Sequence, residues 1–462
     1  MADLPLSSLT DDEKALVNLL GRKARREEKE LIRLDRYRKA EQRLRHLGIA
    51  VPPELRDFET IINVPGMAVD EPVSRQELRA FVRTSIGDDG VRQELPDDTL
   101  RAYWEHNNLD SESTIAHSYA RSFGRAFVSV STNEDEGAPA RVTVESPIGF
   151  AVDIDKRQRR IKSALRQWRD DGSSSTAQQA TLYKPGSTLW LERGRNGWGV
   201  IDRDDYGLDV LPLVMLVNRP WVDRWYGRSE MADVIPLTDS IARMITNMQV
   251  AGETVAIPHR WAAGIASEDF VDESGNPLPA WEAYMTAMRI TENPEAKFGD
   301  FTPGNLDNFN AAVNNMLSWC GMQLGLPTRY MGQHTGNPAS EGAIISDEIR
   351  LIRNVERMNR IDGDAWSWVM SLTEWFTTGV EPTRNSIRAI WHNPATPTYS
   401  QRADAIVKLR TGPEPLLSRR GAWDEMGWSE ERKTRELQYF AEEADDPLLT
   451  RIDALLGTQD AS

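Results

Sequence analysis

The sequence Thr328-Arg-Tyr-Met-Gly-Gln-His-Thr-Gly-Asn-Pro-Ala339 decides the fold, because it is a polar, glycine-rich loop between two helical patterns. Apolar residues recur at helical spacing before the loop, over 306–324, and after it, over 344–369. The second pattern predicts a helix over 340–378, which spans about 58 Å at ~1.5 Å per residue. Glu348 is the one charge on its apolar stripe. A helix of this length suits a large assembly better than a compact small-molecule enzyme.

Composition restricts the class of protein. The 462 residues include 55 Lys and Arg and 71 Asp and Glu, a formal net charge of -16, which disfavours tight binding of nucleic acid through phosphate neutralisation. The single cysteine, Cys320, excludes an intrachain disulfide framework and an all-cysteine metal site. The N-terminus has no signal pattern and no run approaches the ~18 to 20 apolar residues of a membrane span. We expect a chain of more than one domain that is cytosolic when made.

The N-terminal region is predicted to open as a helix. Thr10 and Glu13 have the spacing of a capping box, and the helix is expected to continue to about 47–48. Its basic stretch, 21–45, is either a solvated face or a patch for nucleic acid or an acidic partner. The signals over 52–92 are mixed and predict no element.

Further along, the sequence predicts one helix over 97–122 and then short strands in an antiparallel meander. A serine-rich loop tip is expected at 171–176. The predicted strands cover 124–130, 141–145, 180–184, 188–192 and 198–201.

The second half begins with an apolar run over 210–217 that ends in Asn218-Arg-Pro. A helix is predicted to start near 233, with Pro236 tolerated in its first turn. The following stretch, 257–303, is rich in Gly, Pro and acidic residues and predicts a small module inserted between two helices. An extended stretch leads to 397, and 399–462 is predicted to be helical with an acidic tail.

Motifs for catalysis, cofactors and metals are absent or incomplete. There is no Gly-x-Ser-x-Gly elbow and no Gly-x-x-x-x-Gly-Lys-Ser/Thr loop. Gly194-Arg-Asn-Gly-Trp-Gly199 predicts a hairpin turn, and Asp202-Arg-Asp-Asp-Tyr-Gly207 predicts a polar turn because Tyr206 stands where a calcium loop needs an oxygen ligand. The six histidines lack ligand spacing. We therefore predict no catalytic residue, no metal site and no cofactor.

The order of these elements resembles the portal protein, or head-to-tail connector, of long-tailed double-stranded DNA phages, particularly the form in phages of actinobacteria. The most specific part is 211–254, with Asn218-Arg-Pro and Tyr226-Gly-Arg-Ser229, and His117 and Gly124-Arg-Ala-Phe-Val128 also look like that family. The resemblance implies an α+β, mainly helical portal fold with wing, stem, clip and crown and one very long helix.

The resemblance also implies domain boundaries. It reads 160–168 as a strand, although the apolar residues there are spaced like a helix. The implied parts are N-terminal helices and an antiparallel β wing (1–233), a stem helix (234–254), the clip (255–303), a second stem helix (304–325), the tunnel loop (326–340), the long helix and wing remainder (341–397), and a helical crown with an acidic tail (398–462).

The function that the resemblance implies is a non-enzymatic ring, normally of twelve subunits, at one capsid vertex. It would form a channel for packaging and ejection of double-stranded DNA. Its partners would be the terminase that powers packaging, the head-tail adaptor, and the major capsid and scaffolding proteins, with no membrane. Loop polarity and the family's layout suggest these duplex-facing positions: Arg329, Tyr330, Gln333, His334, Thr335 and Asn337.

Two other classes stay open from the sequence. A different structural ring or scaffold-binding protein of a virus particle would share the acidic charge and the long helix. A hydrolytic enzyme with an unrecognised site would more often be a monomer, dimer or tetramer. A native mass near 12 × 52.2 kDa, or about 630 kDa, separates a dodecamer from these small assemblies.

Overall fold

The computed structural model divides the chain into two compact units, Met1–Pro394 and Ala395–Ser462. The predicted 171–176 loop, the acidic tail beyond 445 and most of the predicted clip lie outside the described residues. The described residues are 8–44, 60–86, 92–135, 137–169, 178–194, 197–256, 260–263, 297–300, 306–332, 341–381, 383, 386–395, 399–411, 415–428 and 430–445.

The first helix, α1 (Asp11–Arg38), begins at the predicted capping box. The Thr10 hydroxyl accepts a hydrogen bond from the Glu13 amide at 3.3 Å, and the Glu13 carboxylate accepts one from the Thr10 amide at 2.9 Å. The expected continuation to 47–48 is wrong, because α1 ends at Arg38 and Ala40 adopts a positive φ of 58°.

Glu13 also ties α1 to the strands that follow. Its carboxylate accepts hydrogen bonds from Lys184 at 2.7 Å and Arg203 at 2.8 Å. Burial alone would raise the pKa of Glu13, but these bonds and those from Thr10 lower the pKa to about 2. The N-terminal cap is therefore also a tertiary contact.

Between 60 and 96 the structure has elements where the sequence predicts none. They are α2 (Val64–Val73), β1 (Leu78–Ile86) and β2 (Arg92–Pro96). Strand β1 lies between β2 and the distant β13 (Ile387–Trp391), antiparallel to both.

The single helix predicted over 97–122 is wrong. The chain forms α3 (Asp98–His106) and α4 (Leu109–Phe123), separated where Asn108 adopts a positive φ of 52°. The neighbouring Asn107 side chain donates to Ala140 O at 3.1 Å and accepts from Val142 N at 2.9 Å. The break therefore positions a polar side chain that holds the next sheet.

The strands expected as one meander divide between two antiparallel sheets. One sheet has the order β10-β3-β4, formed by β3 (Arg125–Ser131), β4 (Arg141–Glu145) and β10 (Leu213–Val217). The other has the order β5-β6-β7-β8-β9, formed by β5 (Phe150–Asp155), β6 (Arg160–Trp168), β7 (Gln179–Lys184), β8 (Ser187–Gly194) and β9 (Gly197–Asp205).

The five-stranded sheet decides three of the predictions. Gly194 pairs with Gly197, so the predicted hairpin between β8 and β9 is confirmed. The predicted polar turn at 202–207 is wrong over 202–205, because these residues belong to β9. The strand that the resemblance implies at 160–168 is confirmed as β6, and the helical spacing there is misleading.

After β10, the 3-10 helix Glu230–Asp233 leads into α5 (Ile235–Ala256), which carries Pro236 in its first turn as predicted. Two short strands, β11 (Arg260–Ala263) and β12 (Lys297–Asp300), pair antiparallel.

The two helices on either side of the polar loop are also confirmed. They are α6 (Asp307–Leu324) and α7 (Glu341–Thr378), the latter 38 residues long. None of the helices in the described ranges is apolar over enough residues to cross a bilayer.

Helix α7 joins two cores of the first unit. Near its start, Leu351 and Val355 pack with apolar residues of α2, α5 and α6. Near its end, Trp366 and Val369 pack with α3, α4 and the sheet that contains β3 and β10. One continuous helix therefore connects the helical part of the unit with its sheets.

The second unit is helical, as predicted. Trp423 stacks on Trp428 and Phe440, with ring centroids 5.7 and 6.1 Å apart. Its helices are α8 (Tyr399–Arg410), α9 (Arg419–Glu425) and α10 (Glu430–Asp445).

Candidate functional site

The predicted tunnel loop starts from a fixed turn at the end of α6. Gly325 adopts a positive φ of 70°, and Leu326 N donates to Gly321 O at 2.9 Å. Arg350 of α7 lies against this turn, since a Cβ on Gly325 would be 3.1 Å from its side chain. Arg350 also donates to Met322 O at 2.8 Å, which satisfies a carbonyl at the helix end. Helix α7 therefore caps α6.

The next residues form the 3-10 helix Thr328–Met331, which is anchored by apolar packing. Leu326 and Met331 are buried in the same core as Cys320 of α6 and Leu351 of α7. The start of the predicted loop is thus part of the core.

Glu348 of α7 is the polar anchor of this segment. Its carboxylate accepts hydrogen bonds from the Tyr330 hydroxyl and from Arg75, each at 3.0 Å, and it also pairs with Arg329. Arg75 donates to the Tyr330 hydroxyl at 2.9 Å as well. Arg329 reaches a second carboxylate, Asp347, at 3.0 Å. We call Arg75, Arg329, Tyr330 and Glu348 the loop anchor.

The electrostatics of the loop anchor favour ionised Glu348. Burial alone would raise the pKa of Glu348, but the hydrogen bonds from Arg75 and Tyr330 and the charges of Arg75 and Arg329 outweigh burial and lower the pKa. For Arg75, burial acts to lower the pKa, and Glu348 reverses this and raises it. The pair is therefore charged at neutral pH.

The structure places two of the six predicted duplex-facing residues. Arg329 and Tyr330 are brought together on Glu348, and the Arg329 side chain remains 30% exposed. The other four lie outside the described residues: Gln333, His334, Thr335 and Asn337.

Sequence reasoning identified one signal of the anchor and missed the rest. Glu348 is the single charge on the apolar stripe of α7, and a buried charge needs a partner. The partner Arg75 was missed because it follows α2, in the region where no element is predicted.

A second polar cluster surrounds Asn218 and includes Gly124 and Gly227. All three belong to the segments that carry the resemblance. Asn218 accepts from Arg121 at 2.8 Å and donates to Arg228 O at 2.8 Å, and its own amide donates to Gly124 O at 2.8 Å. A Cβ on Gly227 would lie 2.1 Å from Asn218 O, so only glycine fits there. These residues shape the loop that precedes α5, and their role is structural.

Arg121 connects this loop to α7. It pairs with Asp362, and the two side chains are 1% and 0% exposed. Gln76 donates to Asp362 at 2.9 Å and to Asn359 at 3.1 Å. The cluster joins α4, α7 and the chain after α2.

His117 lies one turn before Arg121 on α4 and is fully buried. Its Nε2 accepts a hydrogen bond from Trp366 Nε1 at 2.9 Å. Burial lowers the pKa of His117 to about 4, with the charge of Asp362 opposing this and that of Arg121 adding to it. His117 is therefore a neutral acceptor inside the protein.

Helix α6 has apolar side chains on more than one face. Val313 and Cys320 are buried, while Trp319 is 49% exposed and Met322 is 60% exposed. Large exposed apolar side chains beside a buried stripe are typical of a surface that a partner covers.

Comparison with known proteins gives one family match that spans most of the chain. The family described as "Phage portal protein, SPP1 Gp6-like" matches residues 26–447. The portal protein of Mycobacterium phage L5 is 31% identical over 418 residues, which is 88% of this chain and 84% of that protein. The portal protein of Mycobacterium phage D29 is 32% identical over 420 residues, with the same shares.

Solved structures show a weaker similarity. A chain from the virion of a native gene transfer agent particle matches with 12% identity and a TM-score of 0.47, over 87% of this chain and 94% of that one. A chain from the neck of a native particle of this kind matches with 11% identity and a TM-score of 0.45, over the same shares.

Proposed function

The chain belongs to the SPP1 Gp6-like phage portal protein family, and we propose that copies of it close into a ring, normally of twelve, around a channel for double-stranded DNA. As a portal protein it is a structural component of the virion. The ring would occupy one capsid vertex and would be assembled in the host cytoplasm. Membership in this family decides against a different structural ring of the particle.

The main support for the proposed ring is the exposed apolar surface of α6. Trp319 and Met322 lie on the side of the helix that the described residues of the first unit leave uncovered, at 49% and 60% exposure. A helix that packs on neighbouring copies needs such a second apolar face, and methionine adapts to irregular contacts. We therefore assign α6, and with it α5, to the stem.

The tunnel loop is the proposed contact with DNA. Arg329 and Tyr330 would meet the duplex at the loop's base, where the loop anchor fixes them to α7. Gln333, His334, Thr335 and Asn337 would offer neutral hydrogen bonds, which are weak and easily exchanged as DNA moves. An acidic chain repels phosphate, so the duplex would pass without deep electrostatic wells.

The remaining roles are docking roles. The 255–303 clip would meet the terminase and later the head-tail adaptor, and other surfaces would meet the capsid and scaffolding proteins. The chain would make or break no covalent bond itself, since the terminase would supply the energy for packaging.

Alanine substitution of Gln333, His334, Thr335 and Asn337 together tests the loop without touching the loop anchor. In a phage lacking its own copy of the gene, this variant should give particles with less nuclease-protected DNA while the mass of the purified ring is unchanged. A matched control, K156A/R157A/Q158A, changes exposed residues in the turn between β5 and β6 and should package normally. Normal DNA content in the loop variant would count against the proposed contact.

A further inference from the structure

An unusual concentration of positive charge lines one cavity of the first unit. The cavity, of about 920 Å³, lies between α7, the end of α6 and the loop that precedes the 3-10 helix at 230–233. We call its arginines the arginine face: Arg219, Arg224, Arg228, Arg350, Arg353 and Arg357. The whole chain has a net charge of -16, so this surface is opposite in sign to the average surface of a second copy.

Four of these six arginines have no ion-pair partner among the described residues, although Asp223 also lines the cavity. Arg219 pairs with Glu230 and Asp233, and Arg228 pairs with Asp233. Within the described ranges, no ion pair is formed by Arg224, Arg350, Arg353 or Arg357. Guanidinium groups of like charge repel one another, and a carboxylate partner would relieve this repulsion.

The rim of the cavity adds an apolar contact. Trp221 and Val222 are 71% and 78% exposed, and Trp221 lines the cavity beside Arg224. Exposed tryptophan next to arginine is the composition of protein–protein interfaces, where these two residue types dominate the binding energy.

We propose that the arginine face receives a carboxylate-bearing surface of a neighbouring copy of this chain. This inference rests on the proposed ring. In a ring each copy uses two different surfaces, so the carboxylates belong to a surface other than the arginine face. The arginine face is continuous with the proposed α6 contact, because Arg350 donates to the main chain of the exposed Met322.

Charge reversal tests the inference. The variant R353E/R357E should need at least about tenfold more protein for half-maximal self-association in sedimentation velocity, since a favourable charge contact becomes a repulsive one. The control R25E/R26E makes the same change in net charge at two exposed residues of α1 and should assemble like the unmodified chain. Circular dichroism and the thermal midpoint of the monomer check that the fold is kept.

A second arm does not depend on disrupting the surface. In R353K a lysine keeps the positive charge and can be joined to a carboxylate in direct contact by a zero-length carbodiimide. Mixing ¹⁴N- and ¹⁵N-labelled copies distinguishes links between copies from links within one copy. The inference predicts mixed-isotope links from position 353 to Asp or Glu of another copy.

The possible results distinguish failure of the proposed ring from failure of this inference alone. If the unmodified chain stays monomeric at every concentration, the ring fails and the inference fails with it. If it assembles but R353E/R357E assembles equally well, or if R353K gives no mixed-isotope link, the inference alone is overturned. Equal loss of assembly in the α1 control would also overturn it. Normal assembly of R353E/R357E with reduced affinity for duplex DNA would assign the face to nucleic acid instead.

Discussion

Buried charged residues hold the elements of the first unit together. Arg121 and Asp362 are almost completely inaccessible and pair with each other, with Gln76 and Asn218 as further partners. A buried charge without a counter-charge is far less stable than the same site filled by apolar groups. The pair is therefore sensitive to loss of one member and tolerant of joint replacement.

Asp362→Ala should lower the free energy of unfolding by about 3–5 kcal/mol, because it leaves Arg121 buried and unpaired. The joint variant R121M/D362L removes both charges and should cost less than D362A. Urea denaturation of the purified chain measures both. Equal stability of D362A and the unmodified chain would contradict the proposed role of this pair.

His117 should make stability depend on pH. Its pKa is about 4 in the folded protein and 6.5 for an ordinary histidine, so between these values the unfolded chain binds a proton that the folded chain refuses. Stability should be full above pH 6.5 and fall by about 3 kcal/mol as pH decreases to 4. H117Q keeps an acceptor for Trp366 and should lose this slope, whereas H106Q, at an exposed site, should keep it. Identical pH profiles for H117Q and the unmodified chain would be inconsistent with a buried neutral His117.

At the scale of secondary-structure elements, α7 determines where the predicted loop can go. Its start carries Glu348 and Arg350, which hold the 3-10 helix and the end of α6. Its end is buried against the sheets through Trp366 and Val369. Helix α7 thus connects the base of the loop directly to the sheets of the first unit.

Removal of Glu348 should loosen the loop's base. E348A removes the counter-charge of Arg75 and the acceptor of the Tyr330 hydroxyl, so we expect a loss of about 3 kcal/mol and faster amide exchange over 325–332. D347A is the matched control, since Asp347 is exposed and contacts only Arg329 of the loop anchor, and it should cost at most about 0.5 kcal/mol. Hydrogen–deuterium exchange mass spectrometry compares the two variants. Similar exchange in E348A and D347A would show that Glu348 does not anchor the loop.

Local signals in the sequence were enough for elements with one buried face. The apolar stripes of α6 and α7 and the capping box of α1 predicted these helices, and only the far end of α1 was wrong. The apolar residues of strand β6 are spaced like those of a helix because Ala164 and Leu165 are buried on opposite faces of the sheet, which removes the alternation that marks a strand. Helix α2 has Pro72 inside it, and β1 pairs with a strand about 300 residues away in the chain, so no local pattern marks either.

The candidate site was predictable only in part. Loop polarity predicted a loop at 328–339, of which 328–331 form a 3-10 helix, and the isolated charge of Glu348 was visible on its helix without indicating a partner. The partner Arg75 and the pair Arg121–Asp362 depend on contacts between segments far apart in the chain, which neither spacing nor composition reveals. Asn218 and Gly227, which belong to the segment that carries the resemblance, lie in close contact through their main chains. This contact also exists only in the folded chain.

At the scale of the whole molecule, the described part of the first unit has exposed surfaces of the kind that other subunits cover. Trp319 and Met322 of α6 are exposed, and four of the six arginines of the arginine face form no ion pair within the described ranges. Both are accounted for when copies lie side by side around an axis, with apolar contacts between stems and charge contacts beside them.

Native mass spectrometry of the purified chain tests the central claim, a closed ring, most directly. Twelve copies of 52.2 kDa give about 630 kDa, and the account predicts a species of this mass or of a ring with a neighbouring subunit number. A chain that remains at 52.2 kDa at every concentration under conditions in which phage particles assemble would contradict the account.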